Sequence, residues 1–197
     1  VESYTLHLLN PHPGVPDREG VVLETAFVGP GARRSPRLAY VPARLSMVPL
    51  LFGGGKTDVA SFPARRGFDD LVMLTADPRL TLGWTAVTFR REKYVWFALR
   101  DPRVLRHTIL WLSNGGRHYP PWNGRHTGVM GLEETTSYFH YGLAESANAN
   151  PLSERGIPTA VTLNPKVPTV VNYLFGVAAI PLDVKVSYYF GRDVLKL

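Results

Sequence analysis

The sequence predicts an all-β domain, and three observations carry that prediction. Apolar residues either alternate with polar ones or gather in short β-branched and aromatic runs of strand length. The chain's 18 glycines and 17 prolines are spread from end to end of its 197 residues, punctuating those runs. No window of helical length keeps a clean 3.6-residue apolar period. A hydrophobic share of 45% is enough to build a real core and excludes global disorder. The length fits a single domain over residues 1–197.

The elements follow in order. Ser3–Leu9 alternates Tyr4, Leu6 and Leu8 against Thr5, His7 and Leu9, and Gly20–Val28 carries Val21-Val22-Leu23. Pro30–Pro49, rich in Arg and Pro, reads as an irregular excursion, and Leu71-Val72-Met73-Leu74 as a short strand. Proline disrupts helix interiors and sheet ladders, so the proline-free stretches Arg79–Asp101, Arg103–Tyr119 and Trp122–Asn150 mark where regular structure can run. In the first, Leu80, Leu82, Trp84 and Ala86 alternate with Thr81, Gly83 and Thr85. The charged turn Arg90-Arg91-Glu92-Lys93 follows, and then Tyr94–Leu99, apolar on both faces as a buried central strand would be. Together they form an antiparallel hairpin. Thr108–Leu112 is the next strand, closed by the turn signal Ser113-Asn114-Gly115-Gly116. Thr159–Leu163, Val170–Ala178 and Val184–Phe190 continue the pattern, and the best helical candidate is a turn or two within Thr135–Ala147, interrupted by Gly142.

Composition excludes several chemistries. With no cysteine there are no disulfides, thiolate metal sites or cysteine nucleophiles. No apolar run approaches the ~18–20 residues of a membrane-spanning helix. Lys+Arg 22 against Asp+Glu 16 gives a net charge of +6, which favours an anionic ligand. The doublets Arg33-Arg34, Arg65-Arg66 and Arg90-Arg91 are isolated, without the stripe a nucleic-acid surface needs, so no nucleic acid is expected. No two of the six histidines have the helical spacing of a zinc site, although His118, His126 and His140 fall within one stretch. Gly53-Gly54-Gly55-Lys56-Thr57 lacks the earlier glycine and the following helix of a phosphate loop. Neither a metal nor a cofactor is expected.

The most informative stretch is Gly115–Phe139. A loop rich in Gly, Pro and Trp leads into Gly128-Val129-Met130-Gly131-Leu132, which ends in Glu133-Glu134. Burying a carboxylate costs several kcal/mol unless it is paired or hydrogen-bonded. Adjacent strand residues face opposite ways, so only one of the two glutamates can line a given pocket.

The segment Thr127–Thr135, with Gly-Val-Met-Gly-Leu-Glu, resembles the aldose 1-epimerase (galactose mutarotase) family, in which a strand ending in Leu-Glu delivers the catalytic base. The loop Pro121-Trp122-Asn123-Gly124-Arg125 is similar to one in less-studied members of that superfamily. Gly67-Phe68-Asp69 resembles the family's Phe-Asp motif, and Leu9-Asn10-Pro11-His12-Pro13 the segment carrying its acid histidine. Gly156-Ile157-Pro158-Thr159 and Leu163-Asn164-Pro165 are similar to the penultimate strand and its following turn. The order of these motifs fits across nearly the whole chain.

The resemblance implies a large antiparallel β-sandwich of the galactose mutarotase-like supersandwich type. It also implies that the N-terminal strands of that larger fold, with their substrate-binding arginine and second histidine, have no counterpart here. The implied activity is interconversion of sugar anomers, with Glu133 as base and His12 as acid, needing neither metal nor cofactor. Asp69 would bind sugar hydroxyls, Trp122 would present a ring face, and Arg125 would bind a hydroxyl or phosphate. The expected partner is a monosaccharide or sugar phosphate, with no membrane, in the cytoplasm. A non-catalytic carbohydrate-binding module, a basic nucleic-acid-binding domain and a ligand-free structural sandwich stand as the other readings.

Overall fold

The computed structural model describes residues 4–8, 19–25, 39–42, 48–49, 55–62, 65–76, 81–117 and 119–180. In chain order the strands are β1 (Tyr4–Leu8), β2 (Glu19–Thr25), β3 (Ala39–Pro42), β4 (Val48–Pro49), β5 (Lys56–Thr57) and β6 (Ser61–Phe62). They continue as β7 (Phe68–Thr75), β8 (Gly83–Phe89), β9 (Tyr94–Arg100), β10 (His107–Asn114), β11 (Val129–Thr135) and β12 (Tyr173–Ala179). Among the described residues a short helix, α1 (Leu143–Ala147), starts directly after Gly142, and a 3-10 turn spans Ser153–Arg155. The all-β reading is therefore what the described residues show. None of their helices is long and apolar enough to cross a membrane.

The strands form two five-stranded sheets, ordered β12-β9-β8-β1-β6 and β11-β10-β7-β2-β3, plus the small ribbon β4-β5. All of these pairings are antiparallel. The hairpin expected around the charged turn is present: β8 and β9 pair from Phe89↔Tyr94 to Gly83↔Arg100. Lys93 takes a left-handed φ of 60° in the turn, and the Phe89 and Tyr94 rings stack 4.3 Å apart across its mouth. Lys56-Thr57 belongs to a strand pairing with β4, in keeping with the rejection of a phosphate loop there.

The two sheets meet face to face. Val72 and Leu74 of β7 and Leu110 and Leu112 of β10 pack with Phe62 of β6, Val87 of β8, Val48 and Val59. Each such side chain contributes about 1.5–3 kcal/mol on full burial. The opposite face of β7 and β10 is covered too: Met73 and Ile109 are buried under Tyr138, Phe139 and Leu152. This double burial explains why Leu71–Leu74 and Ile109–Leu112 read as unbroken apolar runs without alternation. Tyr94–Leu99 is central by pairing, between β8 and β12, but only Ala98 of that run is fully buried.

The covering segment holds its shape through Asn150. Its side-chain amide donates to Thr159 Oγ1 at 2.9 Å, while its Oδ1 accepts from the Leu152 and Ser153 amides. His107 ties the segment to the sheet through Pro158, whose carbonyl lies 3.1 Å from Nε2. Because a carbonyl only accepts, Nε2 carries the proton and Nδ1 accepts from the Thr75 hydroxyl at 3.0 Å. One expected strand differs from this picture and another is not tested by it. Residues 159–163 are described without regular structure, and Val184–Phe190 lies outside the described residues.

Candidate functional site

Register fixes which side chains share the outer face of the second sheet. Ser113 pairs with Asp69, Trp111 with both Leu71 and Gly131, and Ile109 with both Met73 and Glu133. Paired residues of antiparallel strands project to the same side, so Asp69, Trp111, Ser113, Gly131 and Glu133 lie on one face. The covering segment buries the Met73–Ile109 end of that face. The Asp69–Ser113 end lies under the loop that joins β10 to β11.

That loop is held by its own backbone. Gly115 N–H donates to His126 O at 2.8 Å and Gly124 N–H to Arg117 O at 2.7 Å, and the Trp122 and Asn123 amides both donate to Tyr119 O at 3.0 Å. The Pro120–Pro121 bond is cis. Gly116 is required where the loop crosses β7: a Cβ there would sit 2.2 Å from Asp69 N. This close approach lets Gly116 N–H donate to the Asp69 carboxylate at 3.2 Å.

Asp69 is wholly buried and its carboxylate is fully engaged. Ser113 Oγ (2.9 Å) and Gly116 N (3.2 Å) donate to Oδ1, while Trp111 Nε1 (3.1 Å) and Arg117 Nε (2.9 Å) donate to Oδ2. The charge is thus paired within the protein and the residue locks strand to loop. Arg117, anchored this way, places its guanidinium carbon 4.3 Å from the Trp111 ring centroid and 5.3 Å from that of Trp122. Both lie within cation–π range. The His126 ring stacks on Trp111 at 5.3 Å and 12°, meets Trp122 edge-on at 4.7 Å, and has Nδ1 2.6 Å from Ser113 Oγ.

Glu133 and Glu134 separate as strand alternation requires. Glu133 is exposed on the outer face. Oε1 of Glu133 and atoms Cβ and Cε3 of Trp111 all lie 3.3 Å from the point where a Cβ on Gly131 would stand. Glycine at 131 therefore leaves a notch with a carboxylate on one side and an indole on the other. Glu134 points between the sheets, with its side chain 3% exposed, and pairs with Arg100 at 2.9 Å. The strand runs through both glutamates to Thr135 and does not end at them.

Of the residues singled out from sequence, Asp69 and Trp122 join one cluster through Arg117, and Glu133 shares its face. Arg125 is on the same loop but exposed, with Nη2 3.5 Å from the Pro121 carbonyl. His12 lies outside the described residues, as does His118. Trp111, Ser113, Arg117 and His126 form the rest of the cluster. The two-residue spacing of Trp111 and Ser113 puts them on one face of their strand, while their alignment with Asp69 comes from the register of β10 with β7. Arg117 and His126 arrive through loop geometry, for which no local pattern exists. Among the described residues no three of His, Cys, Asp and Glu gather as a metal-binding group.

Two indoles, an imidazole, a guanidinium and an exposed carboxylate on one rigid face suit a polar ligand with a flat apolar side. Comparison of the chain with family models, with curated proteins and with solved structures finds no match in any of the three.

Proposed function

We propose that this face binds a monosaccharide or sugar phosphate and interconverts its anomers, on a sandwich of the galactose mutarotase-like type. The observation that carries the reading is the notch at Gly131, which sets the Glu133 carboxylate beside Trp111. A pyranose offers C–H bonds to an indole and hydroxyls to the groups around it. The resemblance of Thr127–Thr135 to the aldose 1-epimerase strand supports Glu133 as the base. Arg125, exposed and forming no ion pair with a carboxylate among the described residues, supports a phosphate on the sugar.

In this reading Glu133 removes the proton of the anomeric hydroxyl while an acid protonates the ring oxygen. The C1–O bond of the ring opens to the aldehyde, C1 turns over, and closure returns both protons. The resemblance assigns the acid to His12. Asp69, its oxygens filled by four internal donors, acts by holding Trp111 and Arg117 in place, which revises the direct hydroxyl contact the resemblance implies.

That saturation favours one alternative, a binding module without turnover, because it takes one polar group away from the ligand. Anomer exchange measured by NMR line exchange or optical rotation separates the two. Glu133→Gln is expected to slow exchange about 10²–10⁴-fold with the fold intact. Wild-type protein that binds sugars without accelerating exchange establishes the binding module instead, and unchanged exchange in Glu133→Gln removes Glu133 from the chemistry.

A further inference from the structure

His126 has a defined place in a buried proton chain. Ser113 is fully buried and its hydroxyl has three polar partners around it: Asp69 Oδ1 at 2.9 Å, His126 Nδ1 at 2.6 Å and the His126 carbonyl at 3.3 Å. A hydroxyl has one proton to give. A carboxylate is an acceptor only, and a hydrogen bond to it is roughly twice as strong as one between neutral groups. The Ser113 proton therefore goes to Asp69, and a lone pair of Oγ faces Nδ1. Two lone pairs cannot meet at that separation, so Nδ1 must carry hydrogen.

We infer that the Asp69–Ser113 pair holds neutral His126 as the Nδ1–H tautomer, leaving the Nε2 lone pair for a ligand, and that His126, in place of the His12 the resemblance implies, is the proton-transfer partner of Glu133. The second half rests on the sugar reading above; the first does not. The ring is fixed for the task by its parallel stack on Trp111 and its edge contact with Trp122. Trp111 also borders the Gly131 notch beside Glu133, so one indole is shared by both groups.

The proton balance closes. Before turnover Nε2 takes up a proton from solvent, and His126 then gives that proton to the ring oxygen as the C1–O bond breaks and Glu133 takes the proton of the anomeric hydroxyl. Ring closure on the other face of C1 reverses both transfers, so no proton is gained or lost. During the cycle the imidazolium keeps its Nδ1–H on Ser113, whose own proton stays on the Asp69 carboxylate. His126 is the residue that touches substrate, and Ser113 and Asp69 are positioning residues.

Long-range ¹H–¹⁵N correlation spectra of uniformly labelled protein test the tautomer directly. The neutral His126 ring should show a protonated Nδ1 and an unprotonated Nε2, and Ser113→Ala should move the ring toward the Nε2–H form. A wild-type ring already protonated on Nε2 overturns the assignment without any variant, as does a ring whose tautomer ignores Ser113→Ala in a folded protein. Anomer exchange tests the role: His126→Gln should lose about 10²–10⁴-fold, and Ser113→Ala should fall between it and wild type. Normal exchange in His126→Gln, with Glu133→Gln inactive, overturns the role of His126 and leaves the sugar reading standing. Wild-type protein without exchange activity removes the anomer-exchange reading and with it the catalytic role of His126, while the tautomer remains decided by the spectra.

Discussion

Glu134 offers the sharpest test of how the two sheets are joined. Its carboxylate and the Arg100 guanidinium are 3% and 1% exposed and lie 2.9 Å apart. Thr85 and Thr108 close the arrangement. Each hydroxyl donates to Glu134 at 2.7 Å, and each accepts from Arg100, at 3.2 Å and 2.7 Å. Burial pulls the Arg100 guanidinium below its ordinary value, and the Glu134 charge opposes that pull. Glu134→Gln keeps the shape but leaves the guanidinium buried without its counter-charge. Removing one partner of such a pair costs about 3–5 kcal/mol, a large part of a typical total of about 5–15 kcal/mol. For a chain of this size each kcal/mol lowers the thermal midpoint by roughly 2–4 °C, so a drop of about 6–20 °C is expected in a melt followed by circular dichroism. Glu133→Gln, one residue away and exposed, should stay within about 0.5 kcal/mol of wild type. Replacing both partners together, as in Arg100→Met with Glu134→Leu, should recover most of the loss, because an apolar pair of similar volume removes the stranded charge. A Glu134→Gln protein as stable as Glu133→Gln would refute the buried pairing.

Acid should weaken the fold through His107. Burial, the largest influence, lowers its pKa from 6.5 to about 4 in the folded state. Between those values the unfolded chain takes up a proton that the folded chain refuses, so stability is complete above pH 6.5 and is lost as pH falls toward 4. The shift corresponds to about 3 kcal/mol, and His107→Gln should flatten this part of a urea-midpoint profile; an unaltered profile would acquit His107. Gly131→Ala and Gly116→Ala should fail in different ways. A methyl at 131 meets Glu133 Oε1 and Trp111 Cβ and Cε3 at 3.3 Å. The exposed glutamate can swing away and Trp111 need give only a few tenths of an ångström, so the protein should fold while ligand misplacement costs about 100-fold in exchange rate. A methyl at 116 would stand 2.2 Å from a backbone nitrogen, so soluble, cooperatively melting Gly116→Ala protein would contradict the loop geometry.

The β-strands were legible because strand chemistry is local. Alternation in Tyr4–Leu8, the Arg90–Lys93 turn and the apolar run Tyr94–Leu99 each state their conformation within a few residues, and the structure places strands there. The Ser113-Asn114 turn was misplaced, since both residues remain in β10 where pairing with Asp69 and Phe68 outweighs turn propensity. Thr159–Leu163 has strand composition, but the described residues give it no pairing partner, and composition cannot supply one.

The sequence by itself determined that adjacent glutamates would face opposite ways, because side chains alternate along any strand. Which glutamate went inside was decided by the partners. Arg100, Thr85 and Thr108 come from three other strands and form a satisfied cage around Glu134, and its neighbour is left at the surface beside Gly131. The same holds for Asp69, which reads as a loop aspartate with ligand chemistry until Trp111, Ser113, Gly116 and Arg117 converge on it. Strand propensity is written in neighbours along the chain. The fate of a buried charge depends on donors more than 25 residues away, and only the folded sheets bring those within hydrogen-bonding distance.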